Sequence, residues 1–343
     1  MIMRRHRQAI ASVVAVCAIL ASGGPARAQE VLNLYSTRHY QTDEALYAGF
    51  TELTGIEINR IEGDGDALIQ RILSEGQNSP ADIFLTTDAG RIWRAEEAGL
   101  FQPIGSEVLD DRIPESLRHP KGLWFGFSTR ARLIFYAKDR VEAGAIKTYE
   151  DLVDPKWKGK VCIRSSSNSY NQSLLSSIIE ADGSAAAQDW AQGVVDNFAR
   201  QPVGGDTDQL RGIGAGECDI AVANDYYFVR LMTDPTEKAL AEKIGWVFPN
   251  QGGRGTHINV SAAGVLKTAP HKEAAVKFLE YLASPKAQRY FADGNNEHPV
   301  VAGVEPNDAL KSLGKFESDA VNVSAYGYNQ AEAQKIFDAV GWN

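Results

Sequence analysis

The stretch VLNLYSTRHYQTDEALYAGFTELTGIEINRIEG, residues 31–63, decides the fold class. Its first six residues, VLNLYS, are a short apolar run that reads as a strand. From Thr42 or Asp43 the apolar positions fall at helical spacing, and Gly55 marks the helix end. IEINRIEG then returns to strand periodicity. Strand, helix and strand within about 30 residues form a βαβ unit, which requires parallel strands with the helix packed on the sheet. The pattern continues with DALIQRILSEG as helix, ADIFLTT as strand and AGRIWRAEEAGLF as helix. An α/β architecture is therefore expected.

Further along, GLWFGFSTRARLIFYAKDRV is rich in aromatic and β-branched residues and reads as long strands crossing between two halves of the molecule. A second alternating unit follows: GKVCIRS as strand, SLLSSIIEADG, AAQDWAQGVVDNF and TDQLRGIGAGE as helices, and CDIAVAN as strand. NQGGRGTHINVSAAGVL reads as a loop before C-terminal helices that include HKEAAVKFLEYLAS and SPKAQRYFADG. About 315 residues beyond the N-terminal leader exceed what one core usually serves, so two lobes are expected.

The chain begins with arginines, then an apolar run from Ala9 to Ala21, then Ala26-Arg27-Ala28. This is the order of a secretory signal peptide over residues 1–28, cut after Ala28, with an apolar part too short to span a bilayer. Cys17 lies inside that apolar part, a position unsuited to a lipid anchor. The leader holds four arginines and no acid, so its removal leaves 31 basic residues against 44 acidic, a net charge of −13. That balance argues against a nucleic-acid or anionic-membrane partner. Cys162 and Cys218 remain, each in an apolar run read as a strand. In an oxidising compartment neighbouring strands would let them pair, the alternative being two buried thiols.

In doubly wound sheets ligands bind beyond the carboxyl ends of the strands. Four tyrosines follow apolar runs there: Tyr40 after LNLYS, Tyr170 after GKVCIRS, and Tyr226 with Tyr227 after CDIAVAN. Any one of them is ordinary, because tyrosine packs its ring and keeps its hydroxyl wet at many loop bases. Four at one topological place indicate a site. A phenol of pKa about 10 becomes a ligand when a highly charged hard cation displaces its proton. The chain lacks a calcium-type Asp loop and a Cys/His cluster for zinc, so ferric iron fits best. Four phenolates on a trivalent ion leave one excess negative charge. Arg130, Arg132 and Arg230 are the nearby cations, and Arg130 at the expected hinge is chosen as the supporting partner. His39 is a further candidate ligand, while His119, His257, His271 and His298 are expected to be solvated.

At LYSTRHYQTD, PADIFLTTDAGRIWRAEEAGL, GFSTRARLIFY, YNQSLL and AVANDYYFVRL the chain resembles the class II periplasmic solute-binding proteins of ABC importers, specifically the ferric-ion-binding proteins. The resemblance covers the chain beyond its leader, and the adjacent tyrosines are its most specific feature. It implies a type II periplasmic-binding-protein fold of two lobes, with the ligand cleft between lobes joined by crossing strands and lobe closure on the metal. Lobe 1 would comprise 29–128 and 258–343, lobe 2 129–257. It carries the metal-ligand role to Tyr40, Tyr170, Tyr226 and Tyr227, with His39 as candidate and Arg130 in support. One branch of the family uses a His, an acid, two tyrosines and an external anion. Tyr170 in NSYNQ places this chain with the tyrosine-rich branch, and Asp66 is read as a helix-start residue instead.

The resemblance also implies a periplasmic monomer that binds Fe3+ as transported ligand, or Fe2+ as the other oxidation state. An inner-membrane ABC permease with its ATPase would be the partner. The competing ligand readings are an oxyanion or a polyamine. A secreted hydrolase is disfavoured, because Ser165, Ser166, Ser167 and Ser169 sit in neither a GxSxG elbow nor beside a base, and HExxH is missing.

Overall fold

The computed structural model describes residues 30–38 and 40–343; the expected signal peptide and His39 lie outside the described residues. The opening stretch folds as β1 (Val31–Ser36), α1 (Asp43–Thr54) and β2 (Glu57–Glu62). β1 pairs with β2 in parallel, from Val31 beside Glu57 to Ser36 beside Glu62. Helix α1 ends where Gly55 adopts the left-handed conformation, φ 74°, and its N–H closes on the Thr51 carbonyl.

Next come α2 (Gly65–Glu75), β3 (Ile83–Thr86), α3 (Ala89–Glu97), α4 (Glu107–Arg112) and β4 (Phe125–Ala137). Asp64 caps α2 and Asp88 caps α3 through their carboxylates, satisfying backbone amides that would otherwise lack partners. Asp66 stands in the first turn of α2 and forms an ion pair with Arg94, in keeping with its expected helix-start place.

The chain continues through β5 (Val161–Cys162), α5 (Ser169–Asp196), α6 (Asp206–Ala215), β6 (Ile220–Asn224), α7 (Asp225–Thr233), α8 (Lys238–Ala241), β7 (Ile244–Val247) and β8 (Ile258–Val265). It closes with α9 (Lys272–Leu282), α10 (Pro285–Asn295), β9 (His298–Pro299), α11 (Asp308–Lys311), α12 (Ser324–Tyr328) and α13 (Gln330–Val340). Gly183, at φ 84° and ψ 163°, breaks α5 into the two helices the sequence indicates.

The strands run in the order β2-β1-β3-β8-β4-β6-β5, with β7 and β9 also on β4. β4 is the shared element. Its first half, Phe125–Ala131, pairs with β8, and its second half, Arg132–Tyr136, pairs with β6. At about 3.3 Å per residue, the 13 residues of β4 extend through both sheets. The molecule is thus a two-lobe α/β protein of the type II kind, each lobe built on one of these sheets.

β8 corrects the expected loop over 250–266. Every residue of β8 is buried, and it lies between β3 and β4. Its centre, Ser261-Ala262-Ala263-Gly264, carries none of the β-branched signal of an ordinary strand. Small residues are needed there: a Cβ on Gly264 would stand 2.5 Å from the Leu123 carbonyl oxygen. The last helix, α13, packs with α5 in the core that holds Val161, Ile220 and Val222, and so joins the second sheet rather than the first.

Cys162 on β5 and Cys218 just before β6 form a disulfide, their Cα atoms 5.8 Å apart. The bridge is buried and closes a sequence separation of 56 residues. Reduction is expected to lower stability by about 2–4 kcal/mol. Denaturant unfolding with and without reductant measures this; coincident midpoints would remove any stabilising role for the bridge.

Candidate metal centre

Each of the four tyrosines stands where a strand hands over to a helix. Tyr40 lies between β1 and α1. Tyr170 is the second residue of α5, and its N–H donates to the Asn168 cap at 3.2 Å. Tyr226 and Tyr227 are the second and third residues of α7, which begins directly at the end of β6. The pair thus stands in the first turn of a helix that follows the strand with no loop between. Neighbouring helical side chains diverge by about 100°. Here both rings stay on one side, with centroids 4.1 Å apart and planes tilted by 31°.

The hydroxyls of Tyr170 and Tyr226 are 3.4 Å apart. Two oxygens each about 2.1 Å from one ion are separated by about 3.0 Å at a right angle and about 3.4 Å at the tetrahedral angle. The pair thus has the spacing of two ligands on one centre. Tyr40 and Tyr227 complete the group: the charge of each phenol is felt by others of the four. Tyr170 and Tyr226 are buried, Tyr40 and Tyr227 half-buried, which leaves one side of the cluster open to the cleft.

Burial pushes the Tyr226 phenol well above its ordinary pKa, and the adjoining phenols Tyr170, Tyr40 and Tyr227 push the same way. Tyr170 is raised by burial and by Tyr227, against the pull of Arg130. Tyr40 is raised by burial, then by Tyr170 and Glu297, against Arg38 and Arg130. These three phenols are protonated at neutral pH, and a cation must displace their protons to use their oxygens.

Five arginines surround the cluster. Arg230 of α7 lies 5.0 Å from the Tyr226 ring centroid, 5.8 Å from that of Tyr227 and 5.5 Å from that of Tyr40 on the other lobe. Arg132 and Arg164 approach the Tyr170 ring at 5.9 and 5.6 Å and share the buried Asp206. Arg38 is 5.0 Å from the Tyr40 ring and is held by Asp43 and Glu297. Arg130 is buried; it donates to neutral acceptors, the Thr87 carbonyl at 2.5 Å and Ser261 Oγ at 3.2 Å. Burial draws the Arg130 pKa down, but Glu297 and the phenols Tyr170, Tyr226 and Tyr40 lift it above its usual value.

The cluster therefore brings Arg130 to the four tyrosines, together with Arg38, Arg164 and Glu297, which sequence reasoning missed. Arg38 was legible as the cation two residues before Tyr40; Glu297, in GNNEHPV, carries no local signal. Among the described residues no three His, Cys, Asp or Glu side chains gather as a metal-holding group.

Three of the four histidines expected to be solvated, His119, His257 and His298, are largely withdrawn from solvent, while His271 keeps an exposed face. His257 is buried, and burial followed by the charges of Arg132 and Arg254 sets its pKa well below the ordinary value. His119 is buried beside Glu96, and His298 reaches Asp225 at 2.7 Å. His271 bonds the buried Asp82.

Residues 45–318 match the family of bacterial extracellular solute-binding proteins. The chain is 54% identical to Iron uptake protein A1 of Synechocystis sp. over 316 residues, covering 92% of this chain and 88% of that one. It is 25% identical to the Major ferric iron-binding protein of Neisseria meningitidis, covering 95% and 97%. Among solved structures it resembles the Trichodesmium IdiA (FutA) protein in complex with iron and citrate ligands, with a TM-score of 0.89 and 57% identity, covering 91% of this chain and all of that one.

Proposed function

The chain belongs to the bacterial extracellular solute-binding proteins, in the branch of iron uptake and ferric iron-binding proteins, and we propose that it captures ferric iron with the phenolates of Tyr40, Tyr170, Tyr226 and Tyr227 in the interlobe cleft. The observation that carries this reading is the convergence of the four phenols, with the Tyr170 and Tyr226 hydroxyls 3.4 Å apart. Iron is cargo here, and the chain holds and releases it without transforming it.

Charge supports the oxidation state. Four phenolates on Fe3+ carry one excess negative charge and on Fe2+ two. Arg130 and Arg230 face the phenols without a carboxylate ion pair of their own within 4 Å among the described residues. Their charge, in a site screened little by water, offsets the excess. His39 remains a further ligand candidate. This reading keeps lobe bounds at 128/129 and 257/258: β4 runs from the first sheet into the second, and the chain returns to the first sheet between β7 and β8.

Delivery requires a membrane partner, so the protein works outside the inner membrane after cleavage at Ala28. It docks as a monomer on an ABC permease driven by its ATPase.

The test is a visible absorption titration of metal-stripped protein with chelated ferric iron, alongside Tyr170→Phe. A saturating one-to-one coloured species, shifted or weakened in the variant, is expected from phenolate-to-iron charge transfer. A colourless protein that retains no iron would return the tyrosines to packing roles and favour an oxyanion or organic solute.

A further inference from the structure

Resting on that reading, we infer that two buried carboxylates, Asp88 and Asp225, are closure latches: each is reached by a side chain from the opposite lobe, and together they set how slowly the cargo leaves. Neither carboxylate belongs to the phenol cluster. Each instead ties down the N-terminal end of a helix that carries part of it, α5 through the Ser173 hydroxyl and α7 through the Tyr226 N–H.

Asp88 caps α3 on the first lobe. Its Oδ1 accepts the N–H groups of Gly90 and Arg91 at 2.9 and 3.2 Å, which fixes the carboxylate in place. Its Oδ2 accepts from Asn259 Nδ2 of β8 at 2.7 Å and from Ser173 Oγ of α5 at 3.1 Å. Ser173 and Asp88 are both fully buried. Ser173 stands three residues after Tyr170, so the two share one helix face. Holding the Ser173 hydroxyl therefore holds the turn that presents the Tyr170 phenol to the first lobe.

Asp225 opens α7 on the second lobe, immediately before the tyrosine pair. Its Oδ1 accepts the Tyr226 N–H at 2.8 Å. Its Oδ2 accepts the Ala131 N–H of β4 at 3.2 Å and meets His298 Nε2 at 2.7 Å. A carboxylate only accepts, so the imidazole donates. His298 comes from β9, which lies against Ser128 and Thr129 on the first-lobe half of β4, and its ring packs edge-on to Phe316 at 5.4 Å.

The two latches share one construction. Each carboxylate keeps its backbone donors within its own lobe or the hinge strand and takes one side-chain donor from across the cleft. Parting the lobes thus removes one charge-assisted bond at each point while leaving both carboxylates partnered. Such bonds favour the closed state without making opening prohibitive, and they act on release, where affinity differences within one binding system are mostly expressed.

The experiment follows loss of the iron-phenolate absorption after the iron-loaded protein is mixed with excess chelator. Ser173→Ala and His298→Ala are each expected to release iron roughly tenfold faster. Their absorption maximum should be unchanged, because no iron ligand is altered. Ser173→Thr and His298→Gln, which keep a donor, should restore slow release and also guard against misfolding of the alanine forms. Release rates unchanged in both alanine variants, or a displaced maximum, would overturn the latch assignment.

Should the wild-type protein show no iron absorption, the iron reading itself fails, and small-angle scattering then decides the latches. A larger radius of gyration in the alanine variants than in wild type upholds them. Equal radii overturn them.

Discussion

Replacing Tyr226 with phenylalanine is expected to leave the fold intact and lower ferric iron affinity by more than the roughly 100-fold that loss of an outer partner of a metal ligand can cost. The substitution removes one oxygen and keeps the ring, so the stack on Tyr227 and the contact beneath Arg230 survive. The lost hydroxyl is buried, and its neighbour is Tyr170 Oη at 3.4 Å, a long hydrogen bond between two phenols. Its removal strips little stability from the metal-free protein, and thermal unfolding should stay close to wild type. Iron binding loses a donor at the centre of the cluster. Competition against a chelator of known affinity measures the change; equal affinity in Tyr226→Phe and wild type would exclude Tyr226 from the coordination sphere.

The same residues show what was readable from the chain. The topological place of the tyrosines was legible because strand periodicity fixes where a strand ends, and ligands collect beyond that end in α/β sheets. Their local conformation was not. CDIAVANDYYFVRL contains no glycine or proline to separate a loop from a helix start, and the helix begins at Asp225 with no intervening turn. Side-chain capping does not announce it either, since the Asn224 side chain makes no cap bond. β8 was missed for a related reason. Its alternation is blurred by burial on both faces, and its small central residues answer to the Leu123 backbone and the Phe101 ring rather than to strand propensity.

The supporting charges were the least legible part. Arg38 is fully buried with Asp43 from its own segment and Glu297 from more than 250 residues away. Pairing a buried cation across such a separation is a property of the folded sheet, and local composition does not encode it. The histidine reading erred in the same way. His298 and His257 sit in segments that read as loops, yet one is held by Asp225 and the other is enclosed near Arg132 and Arg254. Sequence alone indicated the strand ends where the four tyrosines stand, whereas the guanidinium shell around their rings is brought there by the tertiary structure.

That shell has a consequence for pH. Burial raises the pKa of Tyr40, Tyr170 and Tyr226 above the ordinary phenol value, so each is protonated across the neutral range when no metal is present. A ferric ion that takes all four phenols as phenolates must release about four protons. Protons are then products of binding: affinity rises with pH and falls as the solution is acidified. The logarithm of the association constant, at fixed free ferric ion, should climb by about four per pH unit below the ordinary phenol pKa of about 10. In Tyr170→Phe the slope should drop to about three. Proton release on iron loading, followed in weakly buffered solution and corrected for the carrier chelate, reads the number directly. One proton or fewer per iron would mean that the ion is held by groups already ionised, and the four-phenolate centre would be wrong even if iron binds tightly.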